Sequence, residues 1–386
     1  MFHSPDQFFF IVFTLFVRTA FMTSISTPTN LERSFPDTEL SLQVLTEKKQ
    51  VEEIAAEWDA LLQCSVCNPV FSSSIWYLAA LEVQEDASPY VPIVRRKGVL
   101  AGILPLVLNH REHRAEFPEF ANDYCDLIAE PQDDVTISAL LRCVLGEDSK
   151  FETVFLDRMR ADSNCFRGLE RLLSHQRLME LFVPDRQAYP FVKTCASYED
   201  YLVTRRGKFR RNLLRARRHA QENVQIQLQI QIEELLPADL GSIDLAELFL
   251  SLHLARFCEK TPFRARDRQA LLHQLLPALF AQKLLRAFVV KKQGKIVAID
   301  ICFKGVNSLC AWNGGFLPEA AECSPGMLLI DFELRSAFEA KLPEFDLLRG
   351  SEEYKASWAT DLRVVGSVEL PKEIRMEGLQ PGTPRQ

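Results

Sequence analysis

Apolar and polar positions change period repeatedly along the chain, and the changes divide it into elements. Ser41–Thr46 alternates with the period of a strand. Gln50–Leu62 puts Val51, Ile54, Ala55, Trp58, Leu61 and Leu62 on one helical face. Ser73–Glu82 reads as a helix with Ser73 as its cap. Pro89–Arg95 and Val99–Asn109 read as the arms of a hairpin turned at Arg96-Lys97-Gly98. The pattern then predicts a strand at Asp123–Ala129, a helix at Val135–Leu145 and a strand at Phe151–Leu156. A helix at Ser163–Ser174 and a strand at Leu178–Val183 follow.

Pro184–Pro190 is a break, and a long helical pattern runs from Ser197 to Gln221. Val224–Ile232 alternates as a strand. Asp244–Phe257 and Asp267–Phe280 read as helices. Leu285–Lys291 and Ile296–Phe303 form a second hairpin, turned at Lys292-Gln293-Gly294-Lys295. Ser308–Trp312 is a strand, Gly326–Ala340 a helix and Phe345–Leu348 a strand. The order strand–helix–helix–strand–strand–strand–helix–strand therefore occurs twice, with a boundary near Tyr189. The expected fold is α/β: two copies of one unit, each a mixed sheet flanked by helices. The expected division is an extension over 1–40, a first domain over 41–188, a second over 189–370 and a Pro/Gly-rich, disordered tail over 371–386.

Composition narrows this little. The chain has 386 residues, 47% of them hydrophobic and 25% charged, ordinary values for a globular protein. The net charge of −7 gives no global pull toward nucleic acid or anionic lipid. Cys64-x-x-Cys67 is the only close pair among ten cysteines and has no partner at zinc spacing, so no metal is expected. Scattered free cysteines fit a reducing cytoplasm. The apolar run Phe8–Val17 is too short to span a bilayer and lacks a basic segment before it. Residues 1–21 are read as upstream of a start at Met22.

The element order resembles that of the GNAT acyltransferase fold, in which the turn before one helix binds the pyrophosphate of acyl-CoA. In the second half that turn is Glu322-Cys323-Ser324-Pro325-Gly326-Met327. Pro at a helix start and Gly beside it let backbone N–H groups approach an anion, although a plain helix start explains them equally well. In the first half it is Glu130-Pro131-Gln132-Asp133-Asp134, whose three carboxylates repel a pyrophosphate. Only the second half is expected to bind acyl-CoA, through Ser324, Pro325, Gly326 and Met327.

Further stretches resemble the CelD-like acetyltransferases, a family associated with bacterial polysaccharide biosynthesis, and more distantly the Fem-type peptidyltransferases. They are Lys208-Phe209-Arg210-Arg211-Asn212, Ser324-Pro325-Gly326, Phe345-Asp346-Leu347-Leu348-Arg349-Gly350 and Glu353-Tyr354-Lys355. The first half matches at Trp58, Phe71, Trp76, Gly102–Pro105 and Asp123-Tyr124-Cys125-Asp126. The resemblance implies N-acylation of an amino sugar, amino acid or peptide-like acceptor. It places Lys208, Arg210, Arg211, Asn212, Asp346 and Gly350 at the substrate side. Asp123, Tyr124 and Asp126 join them from the first half, with one aspartate turned to the cleft or capping a loop.

Acyl transfer to an amine needs a base for the amine, a stabiliser for the developing oxyanion and an acid for the thiolate. Asp300 stands in an otherwise apolar strand, where burial raises a carboxyl pKa as a base requires; a buried aspartate that only holds a loop is the competing reading. Lys355 is expected to reach into the cleft without joining the core, and Tyr354 to serve as the acid. From Arg205 to Arg218 there are eight basic residues and no acid. Lys208, Arg211, Arg215 and Arg218 form a stripe suited to a phosphate-bearing ligand or a lipid surface, or simply a solvated face. No aromatic platform accompanies it, which disfavours nucleic acid. Two other activities remain open: aminoacyl-tRNA-dependent peptidyl transfer, and a scaffold of polysaccharide assembly without catalysis.

Overall fold

A computed structural model describes residues 40–374, apart from 121, 147–150, 223–229 and 259. The first half comprises β1 (Leu40–Leu45), α1 (Lys48–Glu53), α2 (Ala55–Leu62), α3 (Ser74–Val83), β2 (Ala87–Arg96), β3 (Val99–Ile103), β4 (Leu106–Asn109), β5 (Arg114–Glu116), β6 (Ile128–Ala129), α4 (Asp134–Leu145), β7 (Thr153–Arg160), α5 (Asn164–Leu173), α6 (His175–Leu181) and β8 (Phe182–Pro184). The second half comprises β9 (Pro190–Lys193), α7 (Tyr198–Thr204), α8 (Gly207–Glu222), β10 (Ile230–Glu234), α9 (Leu245–Phe257), α10 (Arg266–Ala281), β11 (Leu285–Lys292), β12 (Lys295–Lys304), β13 (Ser308–Phe316), α11 (Pro325–Glu339), β14 (Glu344–Asp346), α12 (Glu353–Trp358), β15 (Asp361–Leu362) and β16 (Val365–Pro371).

The strands form two mixed sheets. One runs β6-β3-β2-β4-β5-β7-β16-β8 with β1 beside β2; the other runs β10-β11-β12-β13-β14-β9-β15. Each holds one parallel pair, β5 with β7 and β13 with β14, reached by a crossover that contains a helix. The second parallel pair creates the site. β14 pairs with β13 only at Ser308, Leu309 and Cys310. Beyond Cys310 the sheet splays, and Ala311–Phe316 pair with β12 alone. Their other edge opens toward α11 and α12.

The halves share a core. Trp76 of the first lies 5.5 Å from Phe303 and 6.0 Å from Trp312 of the second, edge to face in both cases. Its indole N–H donates to Asn122 Oδ1 at 2.8 Å. A second core lies under α7, α8 and α11, where Phe209, Leu213 and Ala216 pack on Leu328, Trp358 and Val290.

Four sequence expectations need correction. Asp123–Ala129 is a strand only at Ile128–Ala129. Upstream the backbone bonds to Arg158 O and to the Asp126 carboxylate instead of to a ladder. Leu178 lies in a helix, not a strand, because Ser174 caps it through Arg177 N–H; a short apolar run does not distinguish the two. The helix expected at Ser197–Gln221 breaks at Arg205, which is extended at φ −81, ψ 151. Its guanidinium folds back onto the carbonyls of Trp358 and Ala359. Finally, Val365–Pro371 returns to the first sheet, pairing with β7 and β8, although it follows the second half in sequence. Val224–Gln229 of the predicted strand at 224–232 lies outside the described residues.

Candidate active site

Ser324 lies in the left-handed region at φ 52, ψ 50, and turns the chain into α11 with Pro325 at its first position. A Cβ on Gly326 would meet nothing within 4 Å, so the helix start faces open space. That space is a cavity of about 470 Å³ between the free edge of β13 and α11, lined by Gly314, Phe316, Ser324, Gly326, Met327 and Ile330. A smaller cavity adjoins Ser324 and Met327 on the other side, with Asn212, Arg215 and His219 of α8 on its wall. The arrangement suits an elongated apolar chain with an anionic end: free strand edge and apolar walls for the chain, and the helix start with Arg215 for the anion, Glu322 standing on the same small cavity. The residues fit acyl-CoA.

The corresponding turn of the first half is closed. Asp133 accepts from Thr136 N at 3.1 Å and the Thr136 hydroxyl at 2.7 Å, and receives Arg96 on both oxygens at 2.8 and 2.9 Å. The chain's own carboxylate sits where a ligand anion would.

A second cavity, about 510 Å³, opens between the halves. Asp300, Gly314, Ile330, Glu352, Tyr354 and Phe257 line both it and the first cavity, so the two meet there. Burial pushes the Asp300 carboxyl up to about 7, against the opposing Ile301 N–H and the Lys355 charge. Asp123 enters from the first half and is likewise raised to about 7 by burial, again opposed by Lys355. Lys355 is itself buried. Its ammonium donates to Arg349 O at 2.6 Å and lies 3.8 Å from Glu352. Lys355 does line the cleft, as expected, but it is also part of the packed structure, which the sequence expectation excluded. Tyr354 is 50% exposed and lines both cavities, and desolvation plus the Asp300 charge raise its phenol above the ordinary value. Gly350 is required where it is: at φ 151, a Cβ there would strike Glu352 and the Lys355 ammonium.

Three residues predicted at the substrate side lie elsewhere. Tyr124, Asp126 and Asp346 line a third cavity, about 430 Å³, on the opposite side of the interface. Tyr124 donates to Asp346 Oδ2 at 2.8 Å and so ties the halves together. Asp126 accepts from Asn164 N–H at 3.1 Å and Cys165 N–H at 2.8 Å at the start of α5. Lys208, Arg210 and Arg211 are exposed on α8 and do not line the small cavity, whereas Asn212 and Arg215 do.

The sequence did not single out Glu333 or His253. Glu333 is wholly buried in α11, and burial plus the Asp300 charge raise its carboxyl well above the usual range, against the nearby Cys302 thiol and Arg286. The signal that marked Asp300, a carboxylate in an apolar run, was also present at Leu328–Leu334. His253 of α9 faces the cleft with both nitrogens engaged, Nδ1 at 2.9 Å from Gly314 O and Nε2 at 2.9 Å from Thr261 Oγ1. A carbonyl can only accept, so Nδ1 carries the proton, and burial lowers the imidazole pKa and keeps the ring neutral.

Residues 207–356 match the acetyltransferase (GNAT) domain family model. The fold is a tandem GNAT fold. The solved structure of FemX is similar, with a TM-score of 0.55 and 12% identity over 86% of this chain and 97% of that one. L-PGS from Bacillus licheniformis gives 0.48 and 12% over 87% and 97%. A tandem GNAT protein from the clavulanic acid biosynthesis pathway gives 0.41 and 12% over 86% and 98%. At these identities the likeness concerns the fold, and only the FemX comparison carries weight. No curated protein matches the sequence. Among the described residues no group of His, Cys, Asp and Glu is arranged to hold a metal, and no helix is long and apolar enough to cross a membrane.

Proposed function

We propose that this chain transfers an acyl group, acetyl in the simplest case, from acyl-CoA to an amine held between the two halves. The observation that carries the reading is the meeting of two cavities at Asp300 and Tyr354. Acyl-CoA, held by Ser324, Gly326 and Met327 with Asn212 and Arg215 beside its phosphates, supplies the acyl group as a thioester. The remaining chemistry belongs to the chain. Asp300, raised to about 7, accepts a proton from the amine near neutral pH. Tyr354 supplies a proton to the departing thiolate. Lys355 holds its positive charge against Asp123 and Asp300 and limits how far burial raises both. The splayed strands and the aromatic wall of Phe257, Phe263 and Trp312 restrict water.

The CelD-like sequence features support an acceptor from polysaccharide or cell-envelope synthesis, and use of acyl-CoA supports a cytoplasmic reaction. Thiol release from acetyl-CoA against a panel of amines tests the reading, with Asp300→Asn as the control expected to be inactive. Turnover dependent on aminoacyl-tRNA, with none on acyl-CoA, would replace this reading with the peptidyl-transfer one.

A further inference from the structure

The acceptor cleft is charged unevenly, and the unevenness has a direction. Its inner end is fixed by the residues it shares with the donor cavity, Asp300 among them. Asp123 lines the cleft outside the donor cavity, where both Lys355 and Arg158 oppose the effect of burial on its carboxyl. Neither carboxylate has a salt-bridge partner among the described residues. The other end is lined by Glu119, Arg158, Lys260 and Arg268, none of which touches the donor cavity.

Most of the cleft's cations are already engaged. Arg158 meets Asp157 at 3.2 Å and Glu119 at 3.6 Å. Arg349 meets Asp185 at 3.3 Å, and Lys355 is tied to the Arg349 carbonyl. Lys260 and Arg268 have no carboxylate partner among the described residues. Arg268 is half-buried, its guanidinium 5.8 Å from the centre of the Phe120 ring, which limits its freedom and leaves its N–H groups available. Phe263 and Trp312 lie along the same cleft and offer an apolar surface to a short carbon skeleton.

We propose that the acceptor is an amine that also carries an acidic group, its amine held at Asp300, where the two cavities meet, and its carboxylate or phosphate at Arg268 and Lys260. This rests on the acyl-transfer reading for the amine's fate, but the recognition itself is a binding property. A guanidinium pairs with either oxyacid through charge-assisted hydrogen bonds, whereas a neutral amine leaves the outer cations unused.

Matched pairs separate the cases. Serine against serinamide tests carboxylate; phosphoethanolamine against ethanolamine, and glucosamine 6-phosphate against glucosamine, test phosphate. Binding to the full chain with CoA present is read by calorimetry and from the change in intrinsic tryptophan fluorescence that Trp312→Phe removes, and thiol release from acetyl-CoA is read separately. The acidic member of at least one pair should bind about tenfold tighter or more, the scale of one charge-assisted hydrogen bond. Arg268→Gln and Lys260→Gln should erase that preference while leaving the neutral member's affinity unchanged. Equal binding within every pair, no binding of any member, or a preference that survives both substitutions overturns the proposal. Preferential binding without thiol release leaves it standing and overturns acyl transfer instead.

Discussion

Asp300→Asn should give a protein that is more stable in base and catalytically dead. The wild-type carboxyl has a pKa of about 7 in the folded chain and an ordinary value of 3.8 when exposed. Below pH ~4 the group is protonated in both states and contributes nothing. Between the two values the unfolded chain has lost the proton and the folded chain keeps it, so folding stability falls as pH rises. Above about 7 the penalty is complete. A shift of about three units corresponds to at most roughly 4 kcal/mol. Asparagine has no charge to desolvate. The stability difference, variant minus wild type, should therefore be flat in acid, climb between about pH 4 and 7, and level off. Any packing cost of the amide does not depend on pH and only displaces the curve vertically. Asp123 titrates in the same window but is present in both proteins and cancels; Glu333, raised in part by the Asp300 charge, does not cancel, and the loss of that charge lowers it in the variant, which adds to the climb. Urea denaturation from pH 4 to 9 measures the curve. Thiol release at pH 8 should fall 10²–10⁴-fold, the range for losing a general base. Parallel stability curves would show that Asp300 is not ionised against a burial cost. Retained turnover would remove it from the chemistry.

Acetyl-CoA should protect Ser324–Leu328 from hydrogen exchange and leave Glu130–Asp134 unchanged, because Asp133 already occupies the first half's helix start; protection at 130–134 would reverse the assignment of the halves. Lys355→Met should destabilise the fold by about 1–3 kcal/mol in urea denaturation, since it strips the Arg349 carbonyl of a buried donor. The same change removes the charge that lowers the Asp300 pKa, so the acidic limb of the kcat/KM profile should move upward from about 7. An unmoved limb would show that Lys355 does not act on Asp300. Tyr124→Phe should cost about 1–3 kcal/mol by removing a buried charge-assisted hydrogen bond to Asp346 Oδ2, which keeps Arg363 at 3.6 Å, without changing KM for acyl-CoA; a raised KM would connect the two sides of the interface.

The repeat was legible because both hairpins carry their turn chemistry in the sequence. Lys97-Gly98 and Gln293-Gly294 all adopt positive φ, as two-residue hairpin turns require. The donor turn was legible for a similar reason, since Ser-Pro-Gly constrains its own backbone. The phase of α12 was not. A helix of six residues, Glu353–Trp358, is too short to show which side faces the core. Lys355 was taken to reach out of the core, yet it is buried while Tyr354 stands half exposed. The segment after Asn122 misled for a different reason. Its apolar residues are buried because it runs between two halves, and burial from both sides looks like a strand in one dimension. Arg268 and His253 owe their place in the cleft to the packing of α9 and α10 against β13 and the first half, which no local pattern encodes.

On the proposed reading, two copies of one unit yield one donor site, and the difference can be traced to one position. Where the second copy has Ser324 with no side-chain cap and an open Gly326, the first has Asp133, capping its own helix and paired with Arg96. A carboxylate in that place fills the anion site from within, and displacing it would break an ion pair and a cap together. Freed of the donor, the first copy supplies a wall instead: Asn122, Asp123 and Arg158 face the cleft that the second copy opens. That wall is held from both sides. β7, which carries Arg158, pairs with β16, and β16 arrives at the end of the second copy. Arg363, just before β16, pairs with Glu344 at 2.6 Å and lies 3.6 Å from Asp346, the last residue of β14 to pair with β13 before the splay. The strand that positions one side of the acceptor cleft is thus bonded to the segment that leaves the other, so the cleft's width is set by the closure of both sheets and not by either copy alone.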